Sequence, residues 1–232
     1  MDSKVRTEAG RWTAANLRHF IYALRGTQWH TPGYELIAEW FKGRENRTIR
    51  DMYVGGAKNE PLWAAVIDAW GLGQHHQLLT PLLDWTESLM TALYFAFEQA
   101  DLRAEGEESR LVYALNRKLV EQQCKERTGG HLLEFVNPYS RNNPRMIAQQ
   151  GLFTYSLEFQ SVEDWVVENF KGSEEPVLIR ILIRNTPSEN AIRWLSRAGI
   201  SDRTLFPDIA GISKFTNRIL QDHELNYTSN SF

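Results

Sequence analysis

The chain has 232 residues, 42% of them hydrophobic and 24% charged, with a formal net charge of -3 at pH 7. That length buries a substantial core. The negative balance argues against broad coating of duplex DNA, the lone Cys124 excludes an internal disulfide, and no apolar run nears the ~20 residues that span a bilayer. No signal peptide is visible, so a cytoplasmic protein without a membrane partner is expected.

Taken in chain order, periodicity predicts helices over 34–42, 61–71 and 86–101, then a strand over 110–115 (RLVYAL) and a helix over 116–126. Strands follow at 131–136 (HLLEFV) and 152–158 (LFTYSLE), a helix at 161–170, and a strand at 177–183 (VLIRILI). The last run alternates least and reads as a central strand. Helices at 188–198 and near 209–221 close the chain. Residues 1–24 read as an N-terminal extension, 103–109 as a polar loop and 226–232 as a frayed tail. Helices gather mostly in the N-terminal half and strands later, so the expected fold is α+β, one domain over 1–232 with a mixed or antiparallel β core.

The densest chemistry lies in GQHHQLLTPLLDWTESLMTALYFAFE, residues 73–98. Leu89, Ala92, Leu93, Ala96 and Phe97 recur at helical spacing and predict one buried face, with Asp84 or Thr86 as the cap and Glu87 completing a near capping box. A helix start also offers free amides to a phosphate, for which the neutral Thr86 and Ser88 suit better than the two carboxylates. His75 and His76 are the only adjacent imidazoles. His19, His30, His131 and His223 stand alone and no paired-Cys or HExxH spacing exists, so no metal is expected.

Other residues carry weaker signals. Arg44, Arg47 and Arg50 recur every three residues in the mildly basic first 60 residues, near Trp29, Tyr34, Trp40, Phe41, Tyr53 and Trp63. Cations interleaved with aromatics suit a single-stranded nucleic acid, and a solvated helix face explains the arginines equally. Arg25 reads either as an anion ligand or as a structural ion-pair residue, Arg145 as a ligand or as a tie from its loop to backbone carbonyls, Trp85 as core or as a platform, and Gln149 and Gln150 as site residues or as partners of backbone groups at a tight turn.

Gln74-His75-His76, Leu79-Thr80-Pro81-Leu82-Leu83-Asp84-Trp85-Thr86, Ser88 and Ala92-Leu93-Tyr94-Phe95-Ala96 together resemble the core signature of the FRG domain family, QHxGxPTRLLDWTxSxxxALYFA. Asn143 through Thr154 (NPRMIAQQGLFT) resembles the family's second signature, Thr204 through Gly211 (TLFPDIAG) its third, and Arg25-Gly26 its Arg-Gly pair. Gln77 stands where the first signature has Gly, and Pro81 where it has Arg.

The order of these motifs is also similar, more distantly, to mono-ADP-ribosyltransferases. That resemblance implies an ADP-ribosyltransferase-like core and NAD as substrate: Arg25 with Gly26 on its pyrophosphate, Trp85, Thr86 and Ser88 as the supporting run, Arg145 as a further cofactor contact, and Gln149 or Gln150 at a third position normally held by Glu. His75 and Asp84 are the remaining catalytic candidates, Asp84 because a neutral amide cannot offset the charge that develops on the ribose. The implied protein is an NAD-dependent toxin or phage-defence effector that modifies nucleic acid, RNA before DNA, or protein, and has a neutralising antitoxin protein as partner. The alternative is a recognition module that keeps the pocket without the reaction and binds a nucleotide or a partner protein. A metal-free nuclease has less support, because no repeated acidic or His-Lys constellation appears.

Overall fold

The computed structural model describes residues 3–28, 33–44, 46–54, 57–98, 109–126, 133–137, 143–184 and 187–229. In chain order the elements are α1 (Ser3–Ala23), α2 (Tyr34–Phe41), a 3₁₀ turn (Ile49–Met52), β1 (Tyr53–Val54), β2 (Ala57–Lys58), α3 (Glu60–His75), β3 (Leu82–Thr86), α4 (Leu89–Glu98), β4 (Ser109–Leu115) and α5 (Arg117–Glu126). They continue with β5 (Leu133–Val136), α6 (Pro144–Ala148), β6 (Gly151–Ser156), α7 (Val162–Asn169), β7 (Leu178–Arg184), α8 (Ser188–Arg197), α9 (Asp202–Leu205) and α10 (Ile209–Ser229). The fold is α+β, with strands in the small sheets β1-β2, β3-β6-β5 and β4-β7. β5 and β6 run antiparallel, with Leu133 opposite Ser156 and Val136 opposite Phe153.

The chain forms two units. The first takes Met1–Asp84, Leu115–Asn142 and Leu152–Leu178; the second takes Trp85–Ala114, Asn143–Gly151 and Ile179–Phe232. In the first unit α3 is the centre. Asn59 caps it by accepting the Leu62 amide, and Pro61 sits in its first turn, where a missing N–H costs nothing. Its buried residues Leu62, Trp63 and Ala65 through Trp70 leave little polar face. Trp63 and Trp70 hold the ring of Tyr155 from β6 at centroid distances of 5.0 and 5.7 Å. The residues read as an N-terminal extension form α1, which buries Ala14, Leu17 and Ile21 at three- and four-residue spacing and packs on α2 and α3.

In the second unit Tyr94 and Phe97 of α4, Ile192 and Leu195 of α8 and Leu205 of α9 make the core. Beneath them Asp202 is 1% exposed, and the Tyr94 hydroxyl donates to its Oδ1 at 2.7 Å. Arg218 Nε lies 2.8 Å from Asp202 Oδ2, an ion pair whose angle is too poor for a hydrogen bond, and Lys214 Nζ lies 3.5 Å from Oδ1. The buried carboxylate is thus met by two cations and a hydroxyl, as burial of a charge requires. Burial, then the bond to Asp202, pushes the Tyr94 phenol well up.

Several expectations change. β7 is not central: among the described residues it pairs with β4 alone, and Ile179, Ile181 and Leu182 are all exposed, so its apolar run, interrupted by Arg180, does not report burial on both faces. The face of α4 turned inward is Thr91, Tyr94 and Phe97, with Leu93 and Ala96 partly buried, while Leu89 is exposed. Helix α10 runs through Ser229 and takes in most of the expected tail; residues 230–232 lie outside the described residues, as does the expected loop at 103–108. Among the described residues no helix is long and apolar enough to cross a membrane.

Candidate functional site

Residues 73–78 are the end of α3 and not a free loop. His76 is the C-cap, Gln77 takes the left-handed conformation at φ 69°, the Gln77 amide bonds the Gln74 carbonyl at 3.0 Å and the Leu78 amide the Gly73 carbonyl at 2.8 Å. That pattern is a Schellman cap. Leu78 folds back over Gly73, where an added Cβ would come within 2.5 Å of Leu78 Cδ2, so a side chain there would clash. The position where the FRG signature has Gly is therefore one that needs positive φ, and Gln77 occupies it at a cost in strain. His75 and His76 stack edge to face at 4.8 Å on this helix end.

Within the first unit the cap presents Gln74 to two other signature residues. The Thr80 hydroxyl donates to Gln74 Oε1, which turns the amide so that Nε2 donates to Asp84 Oδ2 at 2.7 Å. Asn16 of α1 holds the same turn by donating to the Leu79 carbonyl at 2.7 Å. Asp84 lies on β3 and is exposed, its carboxylate anchored on one side by the Gln74 amide. Burial raises its pKa from the ordinary carboxylate value, against the hydrogen bonds from the Gln74 side chain and from its own backbone. The sequence carried no signal for this relay, because ten residues and a change from helix to strand separate Gln74 from Asp84.

Asp84 and Thr86 therefore do not cap α4; both are strand residues. The cap is Ser88, whose Oγ accepts the Thr91 amide at 3.2 Å, while Thr86 Oγ1 accepts the Ser88 amide at 3.0 Å. Thr86 also donates to the Gln149 carbonyl at 2.6 Å, and the Glu87 amide bonds the Gln150 carbonyl at 3.0 Å. In the second unit the first and second signatures thus meet backbone to backbone. Gln149 is the C-cap of α6 and its side chain donates to the Leu205 carbonyl at 3.1 Å; Gln150 is exposed in the left-handed conformation at φ 47°. Trp85 is half-buried.

Asn143 caps α6 through the Met146 amide at 3.2 Å, with Pro144 in the first turn. This aims Arg145 at the third signature, where its Nε donates to Asp208 Oδ2 at 2.7 Å and its guanidinium lies 5.1 Å from the Phe206 ring centroid. Asp208 in turn accepts the Gly211 amide at 3.0 Å, and that bond, ahead of Arg145 and against desolvation, holds its carboxyl below the usual range. Gly211 is obligatory: a Cβ there would stand 2.0 Å from the Phe206 carbonyl oxygen.

Arg25 is exposed in the first unit, its guanidinium 4.3 Å from the Tyr22 ring centroid and its Nε donating to the Tyr34 hydroxyl at 3.0 Å. Gly26 follows at φ 78° in the turn that ends α1. The basic-aromatic region beyond is partly consumed by packing. Trp63 is core, Arg50 pairs with Glu158, and Arg47 stacks over Trp40 at 4.8 Å, leaving Arg44 exposed. Trp29, His30 and His131 lie outside the described residues, as does the side chain of His223. Among the described residues no three His, Cys, Asp or Glu side chains gather as a metal group would require.

Residues 10–105 match the model of the FRG domain. The match takes in Arg25-Gly26, the Gln74–Thr80–Asp84 relay and α4, and stops before the second and third signatures. No curated protein and no solved structure matches the chain.

Proposed function

Taking residues 10–105 as an FRG domain, we propose that the chain is an NAD-consuming, ADP-ribosyltransferase-like enzyme whose working carboxylate is Asp84. The observation that supports this reading is the Thr80–Gln74–Asp84 relay: an exposed carboxylate held in one orientation by an amide that is itself fixed by a hydroxyl. In the reaction the bond between ribose C1′ and the nicotinamide nitrogen breaks, the electron pair leaves with nicotinamide, and positive charge develops on the ribose. A carboxylate already oriented before the reaction stabilises that charge without having to reorganise. The acceptor's oxygen or nitrogen then bonds to C1′ and gives up its proton.

In this proposal Arg25, beside Gly26, takes the pyrophosphate through charge-assisted bonds and His75 orients the reacting groups. Gln149 and Gln150 have no catalytic part, since one amide holds the Leu205 carbonyl and the other residue ends a helix. Thr86, Ser88, Trp85 and Arg145 support the fold around β3 and α6. The acceptor is nucleic acid, RNA before DNA, with protein as the other candidate, and the setting is that of a toxin or defence effector restrained by an antitoxin protein.

The test is nicotinamide release from NAD by the purified chain, with total RNA or total cell protein supplied as acceptor. Wild type is expected to release nicotinamide and Asp84→Asn to release at least ~100-fold less. Absence of release with every acceptor, together with no NAD binding by calorimetry, would leave the second reading. That reading is a recognition module without turnover. It is favoured by the hydrogen bonds and ion pair that already occupy Thr86, Gln149 and Arg145.

A further inference from the structure

The solvent face of α1 carries exposed cationic and aromatic side chains. Arg11 and Arg18 are two helical turns apart, about 10.5 Å along the axis, and neither has an ion pair among the described residues. On the same face Trp12 is 56% exposed, and His19 stands two turns beyond it, also exposed. Ala15 lies between the four, at three or four residues from each, so the helix offers a shallow floor with cations along one side and ring systems along the other. Glu8 is the one exposed carboxylate on the described part of this face. A Trp left in water on a helix whose opposite face already fills the core with Ala14, Leu17 and Ile21 is not needed for folding.

We propose that this face of α1 binds single-stranded RNA, with Trp12 stacking a base and Arg11 and Arg18 meeting the backbone. The chemistry selects a single strand over a duplex. Two cations are too few to hold a duplex by phosphate neutralisation alone, whereas an exposed indole offers a stacking platform to an unstacked base, which RNA loops and ends supply. An acidic peptide would use the arginines and leave Trp12 wet. The choice of RNA rests on the acceptor reading above, but binding itself is independent of NAD.

The experiment is fluorescence anisotropy of a labelled, unstructured 12-nucleotide RNA titrated with the full chain, without NAD, from about 50 to 200 mM salt. Trp12→Ala is expected to weaken binding about tenfold. The double variant Arg11→Gln/Arg18→Gln should lower the slope of log K against log salt by about 1.4, and Glu8→Gln should tighten binding. Melting temperatures of all variants should match the wild type. The proposal is overturned if wild type fails to bind, if the variants bind as wild type does, or if a duplex or a DNA strand of the same sequence binds as tightly. Nicotinamide release without RNA binding would remove this surface and leave the NAD reading standing; RNA binding without release would do the reverse.

Discussion

Arg145 and Asp208, 63 residues apart, join the second and third signature segments through a guanidinium whose Nε and Nη2 both reach Asp208 Oδ2, at 2.7 and 2.5 Å. Because Asp208 also accepts the Gly211 amide at the start of α10, one carboxylate serves as helix cap and as tie between α6 and α10. Asp208→Ala is expected to lose about 1–2 kcal/mol of stability, most of it from the cap and little from the half-exposed ion pair. The folded-state pKa lies below the unfolded value, so this stability is present above pH 3.8 and lost as pH falls through the folded pKa. Calorimetric scans at pH 7 and at a series of acid pH values below 3.8 should show the gap between wild type and variant narrowing as pH falls.

Gln77 pays for a conformation that suits glycine. Gln77→Gly should stabilise the chain by about 1 kcal/mol, because the left-handed strain of a side-chain-bearing residue exceeds the extra freedom gained by the unfolded chain. A higher urea midpoint at an unchanged m-value would show it. A lower midpoint would mean that the exposed Gln77 side chain makes a bond worth more than the strain.

Removing the hydroxyl from Tyr94 leaves Asp202 with its cations, whereas removing Arg218 leaves a buried charge half compensated. Tyr94→Phe should cost about 1–3 kcal/mol, and Arg218→Met about 3 kcal/mol or more, lessened by Lys214. Denaturant unfolding of both variants and their combination would measure the coupling, which should be well short of additive.

Asp84→Asn separates function from stability. Its carboxyl pKa is raised on folding, so ionisation works against the fold as pH rises from the unfolded pKa through the folded one. The amide keeps an acceptor for Gln74 and carries no charge. At neutral pH the variant should therefore melt at or above the wild-type temperature while losing nicotinamide release; a clear fall in melting temperature would mark Asp84 as structural.

The sequence announced the elements whose residue types follow a helical period or a branched and aromatic run. α2, α5, α7 and α8 lie within two residues of their expected bounds, and β4, β5 and β6 hold the predicted branched and aromatic runs. α1 escaped because its buried stripe is thin, Ala14 contributing little to the pattern. The end of α3 escaped because Gln74 and His75 look like loop residues until the Schellman bonds are drawn. β3 imitated a helix start, since Asp84, Thr86 and Ser88 before an apolar run satisfy the same rules as a capping box, and only pairing with β6 makes it a strand. At the candidate site, residue types were readable and partners were not: nothing local tells Thr80 to meet Gln74, or Arg145 to meet Asp208.

The seat of Tyr155 between Trp63 and Trp70 has a consequence for synthesis. The two indoles leave the ribosome about 85 residues before the phenol ring that covers them, an interval of roughly 4–17 s at typical elongation rates. During that time α3, buried on nearly every side in the finished fold, has no sheet to lie against. A nascent chain halted anywhere between these points presents two uncovered tryptophans, a ready target for a holding chaperone. Ribosome-bound chains arrested before residue 155 should be captured by one, and chains released past the end of β6 should not.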